Sequence, residues 1–141
     1  MVDCKLLIQK AFEAQSRSYS PYSKFKVGAA LLTKDGQIYL GCNIENAAFT
    51  PTNCAERTAF FKAISEGVTE FEAIAIVGNP HDIPNNSGDY CAPCGVCRQV
   101  MAEFCSAKTF KVILAKSETE YQEFLLEELL PLGFTKDDLE R

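Results

Sequence analysis

Three thiols and one carboxylate carry the most specific chemistry in this chain. They lie in two short stretches, Cys54-Ala55-Glu56 and Pro93-Cys94-Gly95-Val96-Cys97. Zinc favours thiolates at about 2.3 Å, and a catalytic zinc keeps its fourth position for water. Cys94 and Cys97 are three apart, which puts both sulfurs on one side at the mouth of a helix. Cys54 supplies a third sulfur from a second helix start. Three ligands leave one corner of the tetrahedron open, and Glu56 then stands beside the ion as a general acid/base rather than a ligand.

Helix geometry restricts how this can work. Residues two apart on an ideal helix point about 200° away from each other. Cys54 and Glu56 therefore serve one centre only if their helix aims its N-terminus at it, with Cys54 at the cap or first position. The same end-on geometry lets the helix dipole favour the thiolate. Three thiolates leave a zinc complex net negative and weaken it as a Lewis acid. One or both of Arg57 and Arg98, each next to a motif residue, are expected to donate hydrogen bonds to the sulfurs and withdraw that charge.

Taken singly these residues say less. Cys54 alone fits a buried core thiol, and a lone CxxC fits structural zinc, redox use or chance. The combination at two helix starts is what points to zinc. Cys4, Cys42, Cys91 and Cys105 have no partner pattern. Cys91 lies three before Cys94, but a fourth thiolate would close the site. His81, the single histidine, falls in a polar excursion and reads as solvated or locally bonded.

The elements that must hold these groups follow from periodicity. Leu6, Leu7, Ala11 and Ala14 share a face and predict a helix over 3–17. Phe25 to Leu32 is an apolar run suited to a buried strand. Lys34-Asp35-Gly36 turns it into a returning strand, 37–42. A loop over 43–53 precedes a helix over 54–66, with Thr52 or Asn53 as its cap. Residues 72–78 read as a central strand, and 79–92 as a surface excursion. A helix over 95–105 and a strand over 110–115 follow. Residues 121–130 fit helix spacing, although 121–125 also alternates. A short helix is expected after Thr135. The order implies an α/β sandwich, a mixed sheet with helices on its faces.

The totals fit one soluble domain spanning 1–141: 141 residues, 47% hydrophobic and 23% charged. The net charge of -5 and the lack of a long Lys/Arg run disfavour a nucleic-acid surface. No apolar run approaches the roughly 20 residues that span a bilayer, so no membrane role is expected. The N-terminal residues lack a signal-peptide pattern. A cytoplasmic location is expected, where cysteines stay reduced, and seven of them cannot all pair within one chain.

The chain also resembles a known family, the small homotetrameric cytidine deaminases of the zinc-dependent cytidine/deoxycytidylate deaminase superfamily. The resemblance spans nearly the whole chain. It rests on Ser20-Pro21-Tyr22-Ser23-Lys24-Phe25-Lys26-Val27-Gly28-Ala29-Ala30-Leu31, Gly41-Cys42-Asn43-Ile44-Glu45-Asn46-Ala47-Ala48, Asn53-Cys54-Ala55-Glu56-Arg57-Thr58-Ala59, Pro93-Cys94-Gly95-Val96-Cys97-Arg98-Gln99 and Glu128-Leu129-Leu130-Pro131.

The resemblance implies a three-layer α/β/α sandwich with a mixed five-stranded sheet, which would make much of 121–125 a strand. It implies one Zn²⁺ per subunit on Cys54, Cys94 and Cys97, with Glu56 moving protons. Phe25 would pack against a small-molecule nucleoside, Asn43 and Glu45 would meet the ribose 3′-hydroxyl region, and the backbone around Cys54 and Ala55 would meet the pyrimidine carbonyl. Phe134 matches an aromatic that stacks near the base, often from a neighbouring subunit, so a homotetramer with sites near its interfaces is implied. The implied reaction is hydrolytic deamination of cytidine and 2′-deoxycytidine in pyrimidine salvage. Two departures stand out: Phe49 replaces a common tyrosine, and the 79–92 excursion is long. The rival readings are a deaminase of another aminopyrimidine nucleoside, of the blasticidin type, and a structural-zinc module without catalysis.

Overall fold

Unbroken apolar runs mark strands that are buried on both faces. Two such runs form the middle of the sheet, β1 (Phe25–Thr33) and β3 (Phe71–Pro80). The computed structural model describes residues 2–85 and 88–140. Its sheet also contains β2 (Ile38–Cys42), β4 (Lys111–Ala115) and β5 (Tyr121–Leu125), in the order β2-β1-β3-β4-β5. β1 runs antiparallel to both β2 and β3, β3 runs parallel to β4, and β4 runs antiparallel to β5. The sheet is therefore mixed and five-stranded, as expected.

Helices cover both faces. α1 (Cys4–Gln15), capped by Asp3 through the Leu6 amide, presses Leu7, Ile8 and Ala11 into a core with Ala30, Val77 and Ile113. α2 (Ala55–Ser65) and α3 (Gly95–Phe104) cover the other face. There Ala59, Phe60 and Met101 share a core with Leu31, Ile74, Ile76 and Phe110. Phe60 meets Phe71 edge-on, with ring centroids 5.0 Å apart. The α/β/α layering thus separates α1 from the two helices that carry the thiols.

One ambiguity of the sequence reading is resolved, and two details depart from it. Residues 121–125 are strand β5, paired with β4 from Ala115↔Tyr121 to Lys111↔Leu125. Helical geometry is confined to α4 (Leu126–Leu129), because pairing along a free sheet edge overrides the local spacing. The cap of α2 is Cys54 itself rather than Thr52 or Asn53, and it makes no side-chain capping bond. β3 reaches Pro80, opposite Phe25, so the excursion begins later than expected. That excursion includes Asn86 and Ser87, which lie outside the described residues. A final helix, α5, spans Lys136–Glu140. Among the described residues no helix is long and apolar enough to cross a membrane.

Candidate active site

The thiols converge because α2 and α3 begin side by side. Gly41 on β2 permits part of this. A Cβ there would lie 2.3 Å from the Ala55 carbonyl oxygen and 2.6 Å from the Ala59 nitrogen, so only glycine lets the first turns of α2 lie this close. Cys54 and Cys94 both occupy N-cap positions with extended backbones and no side-chain capping bond. Their sulfurs are 3.8 Å apart, and Cys94 and Cys97 are 3.3 Å apart. All three lie within 4.8 Å of one another. Sulfurs at 2.3 Å from a tetrahedral zinc would be separated by about 3.8 Å, so this set fits the ion closely.

Glu56 sits in the first turn of α2, as end-on geometry requires, and is 4% exposed. Desolvation pushes its carboxyl up to about 7, and the neighbouring Cys54 charge adds to this. Cys54 is held down to about 5, first by the thiol of Cys97 and then by the Arg57 guanidinium, against the pull of desolvation. The same sharing with Cys54 pushes Cys97 up. Arg57 Nη2 donates to Cys54 Sγ at 3.4 Å, as expected. Arg98 behaves differently. Its Nε donates to the Pro93 carbonyl at 2.8 Å and its Nη1 to the Leu129 carbonyl at 2.6 Å, so its guanidinium steadies backbone around α3 rather than a sulfur.

Cys54, Cys94 and Glu56 share a cleft of about 290 Å³ with Phe25, Asn43, Glu45 and Ala55, while Cys97 is buried and does not line it. Depressions of about 440 and 470 Å³ lie beside Leu6 and Phe104, but neither brings thiols together. In the cleft, Asn43 Oδ1 accepts from the Val27 amide at 3.0 Å and from the Ser18 hydroxyl, while Nδ2 donates to the Phe25 carbonyl at 2.8 Å. Glu45 Oε1 accepts from the Tyr22 and Ser23 amides at 3.0 Å each, and Oε2 from the Ser23 hydroxyl. Desolvation raises the Glu45 carboxyl, but the Ser23 and Tyr22 bonds and the charge of His81 outweigh it and leave it below its ordinary value.

Phe134 is not brought into the cleft within this chain. It is 59% exposed, and its carbonyl accepts from Gln99 Nε2 at 2.7 Å. Phe49 is also exposed, away from the cleft lining. Sequence reasoning missed Val27, Thr52, Asn53 and Ala92 as lining residues, and it set Cys91 aside. The Cys91 thiol, pushed up to about 12 by desolvation and then by the Glu56 and Cys54 charges, is not part of the thiol trio. Its place is against Gly78: a Cβ on that glycine would lie 2.8 Å from Cys91 Sγ and 3.0 Å from Phe25 Cε1. Its only sequence signal was its position three residues before Cys94.

Residues 1–114 match the family model for the cytidine and deoxycytidylate deaminase zinc-binding region. The chain belongs to the cytidine and deoxycytidylate deaminase family. Its similarity to family members is nearly end to end. A cytidine deaminase of Sporosarcina psychrophila is 49% identical over 98% of this chain and 96% of its own length. A cytidine deaminase of Halalkalibacterium halodurans is 50% identical over 98% of each. A crystal structure of cytidine deaminase from Burkholderia pseudomallei, 44% identical, superposes with a TM-score of 0.82 over 95% of this chain and all 100% of its own. The matched region is a zinc-binding one, and the converging thiols of this deaminase-family chain are the donors zinc prefers, which makes Zn²⁺ its cofactor.

Proposed function

We propose that this chain hydrolyses cytidine and 2′-deoxycytidine to uridine and 2′-deoxyuridine with release of ammonia, in pyrimidine salvage. The observation that carries the reading is the burial of Glu56 beside three converging thiols, in the same cleft as Asn43 and Glu45. Cys54, Cys94 and Cys97 hold one zinc per subunit. When bound, the ion supplies Lewis acidity that brings the ionisation of water towards neutral pH.

Glu56 takes a proton from the attacking water and passes it to ring N3 as the water oxygen bonds to C4. It then takes the remaining water proton and delivers it to the exocyclic nitrogen as the C4–N bond breaks, so ammonia leaves and the uracil carbonyl forms. One carboxylate serves as base and then as acid. Phe25 packs against the nucleoside, Asn43 and Glu45 hold the ribose 3′-hydroxyl region, and the backbone at Cys54 and Ala55 meets the pyrimidine carbonyl. Arg57 draws charge from Cys54.

The exposure of Phe134 supports a further part of the reading. In a homotetramer, Phe134 of one subunit stacks near the base bound by a neighbour. The setting is the cytoplasm, with no nucleic-acid or membrane partner. The deciding assay incubates zinc-loaded protein with cytidine and follows the loss of its absorbance together with ammonia. Equimolar conversion is expected. No conversion overturns catalysis in favour of a structural-zinc module, and faster conversion of blasticidin S than of cytidine overturns the substrate. Size-exclusion chromatography with light scattering tests the tetramer.

A further inference from the structure

His81 is tied to the cleft by hydrogen bonds although it does not line it. β3 pairs with β1 as far as Pro80↔Phe25, and the next amide, that of His81, donates to the Lys24 carbonyl at 2.8 Å. The histidine is therefore placed by the end of a central strand. Its Nε2 lies 2.7 Å from Ser20 Oγ, Ser20 Oγ lies 3.0 Å from Ser18 Oγ, and the Ser18 hydroxyl reaches Asn43 Oδ1. Ser20 is buried, so the middle of this chain is shielded from water.

The direction of every bond follows from the Asn43 end. The Val27 amide can only donate, so the atom it meets is the Asn43 oxygen. The Phe25 carbonyl can only accept, so the atom it meets is the Asn43 nitrogen. Ser18 must then donate its one proton to Asn43 and accept from Ser20. Ser20, having donated its own proton, must accept from His81. The far end of the chain needs a proton on Nε2, which a histidine carries both in one neutral tautomer and as the cation.

We infer that His81 is a positioning residue for the sugar end of the cleft, fixing the Asn43 amide through Ser20 and Ser18 so that its second N–H is presented to the ribose 3′-hydroxyl. The inference rests on the proposed reading of Asn43 as a sugar contact. The charge of His81 also bears on Glu45, after the Ser23 and Tyr22 bonds, so one side chain influences both sugar-facing groups.

The test uses zinc-loaded full-length protein and steady-state kinetics. His81→Phe keeps an aromatic ring of similar size and removes the donor. It raises KM for cytidine about threefold to tenfold, the effect of one hydrogen bond, with kcat unchanged. His81→Gln, whose amide nitrogen can donate from near the Nε2 position, restores most of the loss. Ser20→Ala raises KM similarly, and the Ser20→Ala/His81→Phe double variant is no worse than the weaker-binding single variant. With 2′,3′-dideoxycytidine, which has no 3′-hydroxyl, wild type and His81→Phe share one KM. The inference is overturned if Asn43→Ala raises KM for cytidine but His81→Phe does not, if kcat falls in place of the KM change, or if Gln and Phe behave alike. If Asn43→Ala itself leaves KM unchanged, the sugar-contact reading falls and takes the inference with it.

Discussion

At one end of the cleft, Cys54 and Cys94 stand at the caps of two helices that pack on the sheet. At the other, Asn43 and Glu45 flank Ile44, whose backbone makes only isolated bridges to Tyr19 and Asn53. The metal end is placed by regular elements. The end formed by Asn43 and Glu45 is placed by side chains bonded to the backbone of residues 22–27 and to serine hydroxyls. Groups at helix starts should fail abruptly, because losing one ligand abolishes the site. Groups held by several hydrogen bonds should fail by degrees, because each bond is worth only a modest net amount.

The largest effects test the metal end. Cys94→Ala should lose both zinc and turnover, whereas Glu56→Gln should keep stoichiometric zinc and lose about 10²- to 10⁴-fold in kcat. Metal analysis beside steady-state kinetics separates the two. Substantial activity in Glu56→Gln would remove the carboxylate from its role. Next, Arg57→Ala should weaken zinc affinity about 10- to 100-fold by competition with a chelator. Arg98→Ala, whose bonds go to carbonyls, should leave that affinity near wild type. Equal losses would erase the distinction between the two arginines.

A graded change is expected where Phe25 is held by packing. Gly78→Ala would drive a methyl group against Cys91 and Phe25, and should raise KM for cytidine about threefold to tenfold. Adding Cys91→Gly, which removes both the Sγ and the Cβ that would meet the new methyl, should recover part of it; a double variant as impaired as the single would show that Phe25 is not displaced in this way.

The smallest effect compares thiols on one helix. Cys105, the C-cap of α3, lies against the core, and desolvation pushes it up to about 12. Its neutral form is favoured in the fold, while the unfolded thiol ionises near pH ~8.5–9. Above that pH the unfolded chain binds fewer protons than the native one. The stabilisation is therefore full below about pH 9 and is lost as the pH rises through about 12. Cys105→Ala should flatten the alkaline fall in urea-unfolding stability, and an unchanged slope would refute that assignment.

The contrast between the cleft ends also explains what could be read in advance. Cys54, Glu56, Cys94 and Cys97 were legible because helix geometry turns spacing into direction. The central strands were legible from their apolar runs. β5 was legible only in part: its alternation competed with helix spacing, and its side chains are exposed or half-buried, so its pairing with β4 decides it. Asn43 and Glu45 are ordinary loop residues by composition, and only the resemblance singled them out. The His81 contact with Ser20 joins positions 61 residues apart, and the Ser18 contact with Asn43 joins positions 25 apart, beyond any local pattern. Which of Arg57 and Arg98 reaches a sulfur stayed open in the sequence, because adjacency to a motif does not fix where a long side chain turns.

The cysteine caps have a topological consequence as well. Cys54 and Cys94 are separated by 40 positions, a span that contains β3 and the excursion after it. An ion shared between them is a cross-link that closes this span into a loop. Closure entropy grows only logarithmically, by about 0.6 kcal/mol for each doubling of a flexible loop. Extra residues between Pro80 and Pro93 therefore change the closure term only slightly. The excursion can vary in length while the two helix starts remain clasped.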